Sequence, residues 1–105
     1  MPLDGQLAHE GADWIAEMVS DDLESFIPSE LCDLVMETEE RLREEAGDPA
    51  IDHRTMATRL MAIFEAEPDV PTQEGAISEG LLLEILQWED EFRAMAGQPR
   101  NVRRS

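Results

Sequence analysis

An all-α fold, specifically a small four-helix bundle, is what this chain of 105 residues predicts, on three observations. Apolar residues recur at helical spacing along most of its length, proline and glycine fall where those stretches stop, and no segment alternates apolar with polar residues as a half-buried strand would. The length suits one domain with a modest core and no need of metal or disulfide support. Residues 1–99 are expected to form that single helical domain, and 100–105 a flexible basic tail carrying Arg100, Arg103 and Arg104.

The first helix is expected over about 5–26, capped by Asp4, with Leu7, Trp14, Ile15, Met18 and Val19 near one face. Ser20 followed by Asp21 and Asp22 resembles a second N-cap, so a break or bend is expected near residue 20, and Pro28 ends the segment. The second helix is expected over 29–46, with Ser29 as its cap and Glu30 and Asp33 favouring its positive end. Its apolar stripe reads Leu31, Leu34, Val35, Thr38 and Leu42; Arg41 and Arg43 sit near the negative end, and Gly47 followed by Pro49 writes the stop.

The third helix is expected over 52–67, capped by Asp52, with Ile51 and Met56 placed to form a hydrophobic staple and Met56, Leu60, Ile63 and Phe64 on the buried face. Pro68 ends it. The last is expected over 72–96, from a Thr72 cap to a stop at Gly97 and Pro99. Its seam reads Ile77, Leu81, Ile85, Trp88, Phe92 and Met95, stepping by three and four as a packed antiparallel bundle requires. Leu82, Leu83 and Leu86 add a second apolar side, which makes this helix either the centre of the fold or the interface of a homodimer.

Charge is the most informative functional signal. The formal net charge is -17, all eight basic residues are arginine, and residues 1–40 contain neither lysine nor arginine. Such a surface repels nucleic acid and anionic lipid and attracts basic protein surfaces, so direct nucleic-acid binding and membrane binding are both disfavoured. A compositional origin, in a GC-rich or salt-adapted genome, accounts for the same bias without any function. The N-terminal Met-Pro-Leu-Asp-Gly lacks the basic region and apolar core of a signal peptide, and no apolar run has bilayer length. A cytoplasmic location is the expectation. Cys32, the one cysteine, lies between Leu31 and Asp33 and reads as a small buried apolar residue rather than a reactive thiol.

Site chemistry is sparse. A two-metal carboxylate centre in a helical bundle uses Glu-x-x-His, but Gln6 stands three before His9 and Ala50 three before His53. Glu37 and Glu40, one turn apart, read as a solvated face, His53 beside Asp52 as a first-turn surface residue, and no calcium loop, phosphate loop or nucleotide fingerprint occurs. No catalytic residue, metal ligand or cofactor is therefore assigned, and the chain does not read as an enzyme. Trp14 and Trp88 are in phase with the apolar stripes and read as core.

The function expected from these features is that of an acidic, non-enzymatic binding protein that engages a basic protein surface, as an inhibitor, immunity protein, antitoxin or adaptor does, or as a nucleic-acid mimic. The contact residues expected are Asp13, Glu17, Asp21, Asp22, Glu24, Glu37 and Glu40. Two alternatives stand beside it: a homo-oligomeric structural domain joined through Leu82, Leu83 and Leu86, its acidity serving solubility, and a carboxylate-lined metal site within the bundle.

Overall fold

Apolar periodicity resolves into four helices in the computed structural model, which describes residues 5–67 and 77–99: α1 (Gly5–Leu23), α2 (Ser29–Ala46), α3 (His53–Ala66) and α4 (Glu79–Met95). No strand occurs among the described residues. The expected four-helix bundle is what forms, with one correction in α1 and others at the helix starts.

Helix α1 runs unbroken through Ser20. The Ser20 hydroxyl is occupied elsewhere: it accepts from the Ile27 N–H at 2.8 Å and lies 3.3 Å from the Ile27 carbonyl oxygen, tying the end of α1 to the chain that leads into α2. The helix stops three residues earlier than expected because Glu24 turns left-handed, at φ 51°, and the Ser25 N–H reaches back to the Ser20 carbonyl at 3.0 Å. That exit is unusual, since the left-handed region normally belongs to glycine.

Ser29 is the first residue of α2 rather than its cap; Pro28 holds the cap position with an extended backbone and no side-chain bond. The far end follows expectation. Gly47 at φ 63° donates its N–H to the Glu44 carbonyl, and Asp48 donates to that of Arg43, which closes the helix in the left-handed manner Gly permits. Asp52 caps α3 by accepting from the Thr55 N–H at 3.0 Å, and Ile51 and Met56 on either side of that cap are both buried. The expected Asp4 and Thr72 caps lie outside the described residues. Helix α4 is capped by Ser78, whose hydroxyl accepts from the Leu81 N–H at 3.1 Å, so it begins seven residues later than the sequence suggests.

Helix α4 packs antiparallel to both α1 and α3. Gly11, Trp14 and Asp22 of α1 meet Phe92, Trp88 and Glu84 of α4 in reverse order, and His53 at the start of α3 meets Asp90 late in α4. Helix α1 lies against α2 and α4, and α3 chiefly against α4; α2 and α4 also touch across the diagonal. The core comprises Ile15 and Val19 of α1, Val35 of α2, Met56, Leu60 and Phe64 of α3, and Leu82, Ile85 and Leu86 of α4. Burial of these side chains, each contributing about 1.5–3 kcal/mol, is what the bundle rests on.

Two buried faces are rotated from those expected. In α2 the buried residues are Cys32, Val35, Met36, Thr38, Glu39 and Arg43, so Val35 and Thr38 of the expected stripe are inside, whereas Leu31, Leu34 and Leu42 are only partly buried. In α4 they are Leu81, Leu82, Ile85, Leu86, Glu89 and Arg93, so Leu81 and Ile85 of the expected seam are inside, while Trp88 is partly buried and Met95 is 63% exposed. Leu82 and Leu86 are thus core residues of the single chain, and Leu83 is partly buried beside them. Leu82 and Leu86 are not available as an exposed homodimer face, because α4 packs against all three other helices. No helix among the described residues is long and apolar enough to cross a membrane.

Candidate functional site

The same rotation that buries Leu82 and Leu86 also carries four charged residues inside. Glu39 and Arg43 on α2, and Glu89 and Arg93 on α4, each form a Glu-x-x-x-Arg pair one helical turn apart, and all four are buried. Arg43 donates from Nη2 to Glu39 Oε2 at 2.7 Å, and from Nη1 to the carbonyl oxygens of Pro49 and Ile51 at 2.8 and 3.0 Å. It therefore straps the α2–α3 connection to the helix. Arg93 donates from Nε to Glu89 at 3.4 Å and from Nη2 to Glu40 Oε1 at 3.3 Å, bridging α4 to α2.

Between the two pairs, the carboxyls of Glu39 and Glu89 stand beside one another across the diagonal of the bundle. Two carboxyls so placed favour a proton on one of them. Burial first, then the charge and hydrogen bond of Glu39, push the Glu89 carboxyl well above the ordinary carboxylate range, with Arg93 pulling the other way. The dry interior thus makes Glu89 hold its proton more tightly than an exposed glutamate does. His53, expected on the surface, has its side chain only 14% exposed, and its Nε2 lies 2.6 Å from Asp90 Oδ2, joining α3 to α4. This set is a structural polar layer: its arginines pair with glutamates and with backbone carbonyls, and His53 pairs with Asp90.

The outer face of α1 is built differently. Asp13, Glu17 and Asp21 recur at every fourth residue and are exposed. With Glu24 and Glu30 they edge an open groove of about 920 Å³ between the second half of α1 and the start of α2. None of these five carboxylates has an ion-pair partner among the described residues. Successive acids one turn apart repel, so this face is held in place by the burial on the opposite side of α1 and not by its own charges. Met18 and Ile27 supply apolar surface in the groove, and Phe26 beside them is 84% exposed.

The remaining expected contact residues divide. Asp22 is exposed but faces α4, where its hydrogen bond to Glu84 raises that carboxyl above its usual range. Glu37 is exposed on α2, away from the groove, and lines a smaller cavity of about 300 Å³ with Asp33, Glu40 and Arg93. Glu40 departs from expectation: it is partly buried and turned toward Arg93. Its carboxylate is thereby committed within the molecule. Among the described residues, no group of three or more His, Cys, Asp or Glu side chains is arranged to hold a metal ion. Cys32 is buried, and loss of hydration, with the charge of Asp33, pushes its thiol up to about 12, which leaves it unreactive as a nucleophile.

Sequence reasoning missed the buried layer, although a signal for it was present. Glu39 and Arg43 continue the line Cys32, Val35, Met36 in steps of three and four, and Glu89 and Arg93 continue Leu82, Ile85, Leu86 in the same way. Two Glu-x-x-x-Arg repeats in phase with apolar stripes mark self-neutralising pairs that a buried face can accept. The chain matches no protein-family model, no curated protein and no solved structure.

Proposed function

We propose that this protein is a non-enzymatic binding protein that engages a basic protein surface through the outer face of α1, as an inhibitor, immunity protein, antitoxin or adaptor would. The observation that carries the reading is the line Asp13, Glu17, Asp21 and Glu24: exposed carboxylates on one groove with no cation opposite them among the described residues. The five described arginines include two, Arg43 and Arg93, that are buried in the polar layer and do nothing to offset this face. An uncompensated field of this sign accelerates encounter with a positive partner and discriminates against negative ones. The nucleic-acid-mimic version of the reading draws on the same charges. The exposed Phe26 favours a partner that offers an apolar contact as well as positive charge.

The test combines affinity purification from the native cell at low and high salt with a charge-reversed variant, D13K/E17K/D21K. Basic partners are expected to be retained at low salt, released at high salt and absent from the variant, whose helical circular dichroism stays native. A partner set with no excess of basic proteins, or one unchanged by the reversal, refutes the reading.

A further inference from the structure

Phe26 is exposed because the chain around it is fixed. Glu24 in the left-handed region turns the backbone out of α1, and the two contacts from Ser20 pin Ile27, which is buried, so the side chain between them is held outward at 84% exposure. A large aromatic ring presented by a doubly anchored turn loses little freedom when it is covered, which is the character of an interface anchor. It stands at the end of the groove whose wall carries Asp13, Glu17 and Asp21. Those acids repeat at about 6 Å along the axis and span about 12 Å, the repeat that a second helix presents with cations at every fourth position.

We propose that the groove along α1 takes one basic amphipathic helix of a partner protein, with three of its arginines or lysines in register with Asp13, Glu17 and Asp21 and an apolar side chain packed on Phe26 and Met18. The occupant is chosen by charge complementarity: the groove edge is anionic, its carboxylates have no ion-pair partner among the described residues, and Phe26, Met18 and Ile27 add apolar surface to it. This rests on the reading that the protein binds basic surfaces, and adds to it the shape of the partner and the residue that anchors it.

The experiment measures fluorescence anisotropy of two labelled alanine-based peptides of about twenty residues, long enough to populate a helix. One carries arginines at i, i+4 and i+8 with leucines on the adjoining stripe; the other has the same composition scrambled. The patterned peptide is expected to bind at least tenfold more tightly than the scrambled one at low salt and to gain helical circular dichroism on binding. F26A is expected to weaken it at least fivefold, with that ratio retained as salt is raised; D13N/E17Q/D21N is expected to weaken it at least tenfold and to flatten its salt dependence. Equal binding of both peptides, or F26A binding like the parent protein, overturns the helix-docking proposal while leaving charge-led binding in place. Absence of salt-dependent binding by either peptide takes the underlying reading down with it. A concentration-dependent dimer that F26A abolishes would assign the face to a second copy and likewise overturn the proposal. Phe26 makes no core contact that its loss would disturb, and native circular dichroism of the variant verifies this.

Discussion

At the scale of single residues the most consequential group is Glu89, which is buried beside a second carboxyl and holds its proton more tightly than its unfolded counterpart does. Its folded value lies above the unfolded one, so the native state binds more protons and stability falls as pH rises from the ordinary carboxyl range through the raised value. Glu89→Gln supplies a neutral group that still accepts from Arg93 and donates to Glu39. It is expected to stabilise the domain at neutral pH relative to the parent and to flatten the pH dependence of the urea midpoint. Glu89→Ala, which removes one of the two carboxylates facing Arg93, is expected to destabilise by about 3–5 kcal/mol. Equal midpoints for parent and Gln variant across pH 5–8 would refute the proton-holding pair. Glu24 makes the complementary case on the surface: its left-handed backbone is disfavoured by about 1–2 kcal/mol relative to glycine's freedom there. Glu24→Gly is expected to raise stability by about 1 kcal/mol in urea titration; a loss would show that the turn is held by the Glu24 side chain instead.

At the scale of helices, α1 and α4 approach closely at Gly11, where an added Cβ would stand 2.8 Å from the Phe92 ring. That ring cannot slide freely, since it also packs on Trp14, which meets Trp88 edge-on at a centroid separation of 5.6 Å. Gly11→Ala gains about 1 kcal/mol of helix propensity and incurs about 1–3 kcal/mol of overlap, so a net loss is expected. Combined with Phe92→Leu it should cost less than the two single changes added, by about 1 kcal/mol in a double-mutant cycle; strict additivity would mean that the helices simply move apart. The same scale shows what was legible in the sequence. Helix number and order followed from proline, glycine and cap residues, since Gly47, Asp52 and Gly97 act through local backbone geometry that the neighbouring residues already specify. The buried faces of α2 and α4 did not follow, because their inner stripes pass through Glu39, Arg43, Glu89 and Arg93, and charged residues are assigned outward until their partners on another helix are known. Ser20 misled for a related reason: a hydroxyl suited to a cap was used by Ile27, seven residues away.

For the whole molecule, fold and charge oppose each other. Of the acids singled out as contact residues, the α1 set stayed exposed, as their solvated helix positions imply, whereas Glu40 turned inward because a buried arginine from α4 reached its level, a coincidence no linear spacing encodes. The buried pairs neutralise one another internally, so the excess behind the net charge of -17 resides at the surface and repels itself. Acids one turn apart on α1 each lose a few tenths of a kcal/mol to their neighbours, and these losses are screened over about 8 Å at physiological ionic strength. The melting temperature is therefore expected to rise by several degrees from about 10 mM to about 300 mM NaCl, since about 1 kcal/mol corresponds to 4–8 °C for a domain of roughly this size. The D13N/E17Q/D21N protein should melt higher than the parent at low salt and respond less to added salt. If both proteins showed the same salt response, the α1 face would not be a site of uncompensated repulsion, and its readiness to receive a positive partner would lose its energetic basis. A smaller response in the variant alone would locate the repulsion on the face that the proposed partner neutralises, because screening by salt and pairing by a basic helix relieve the same interaction.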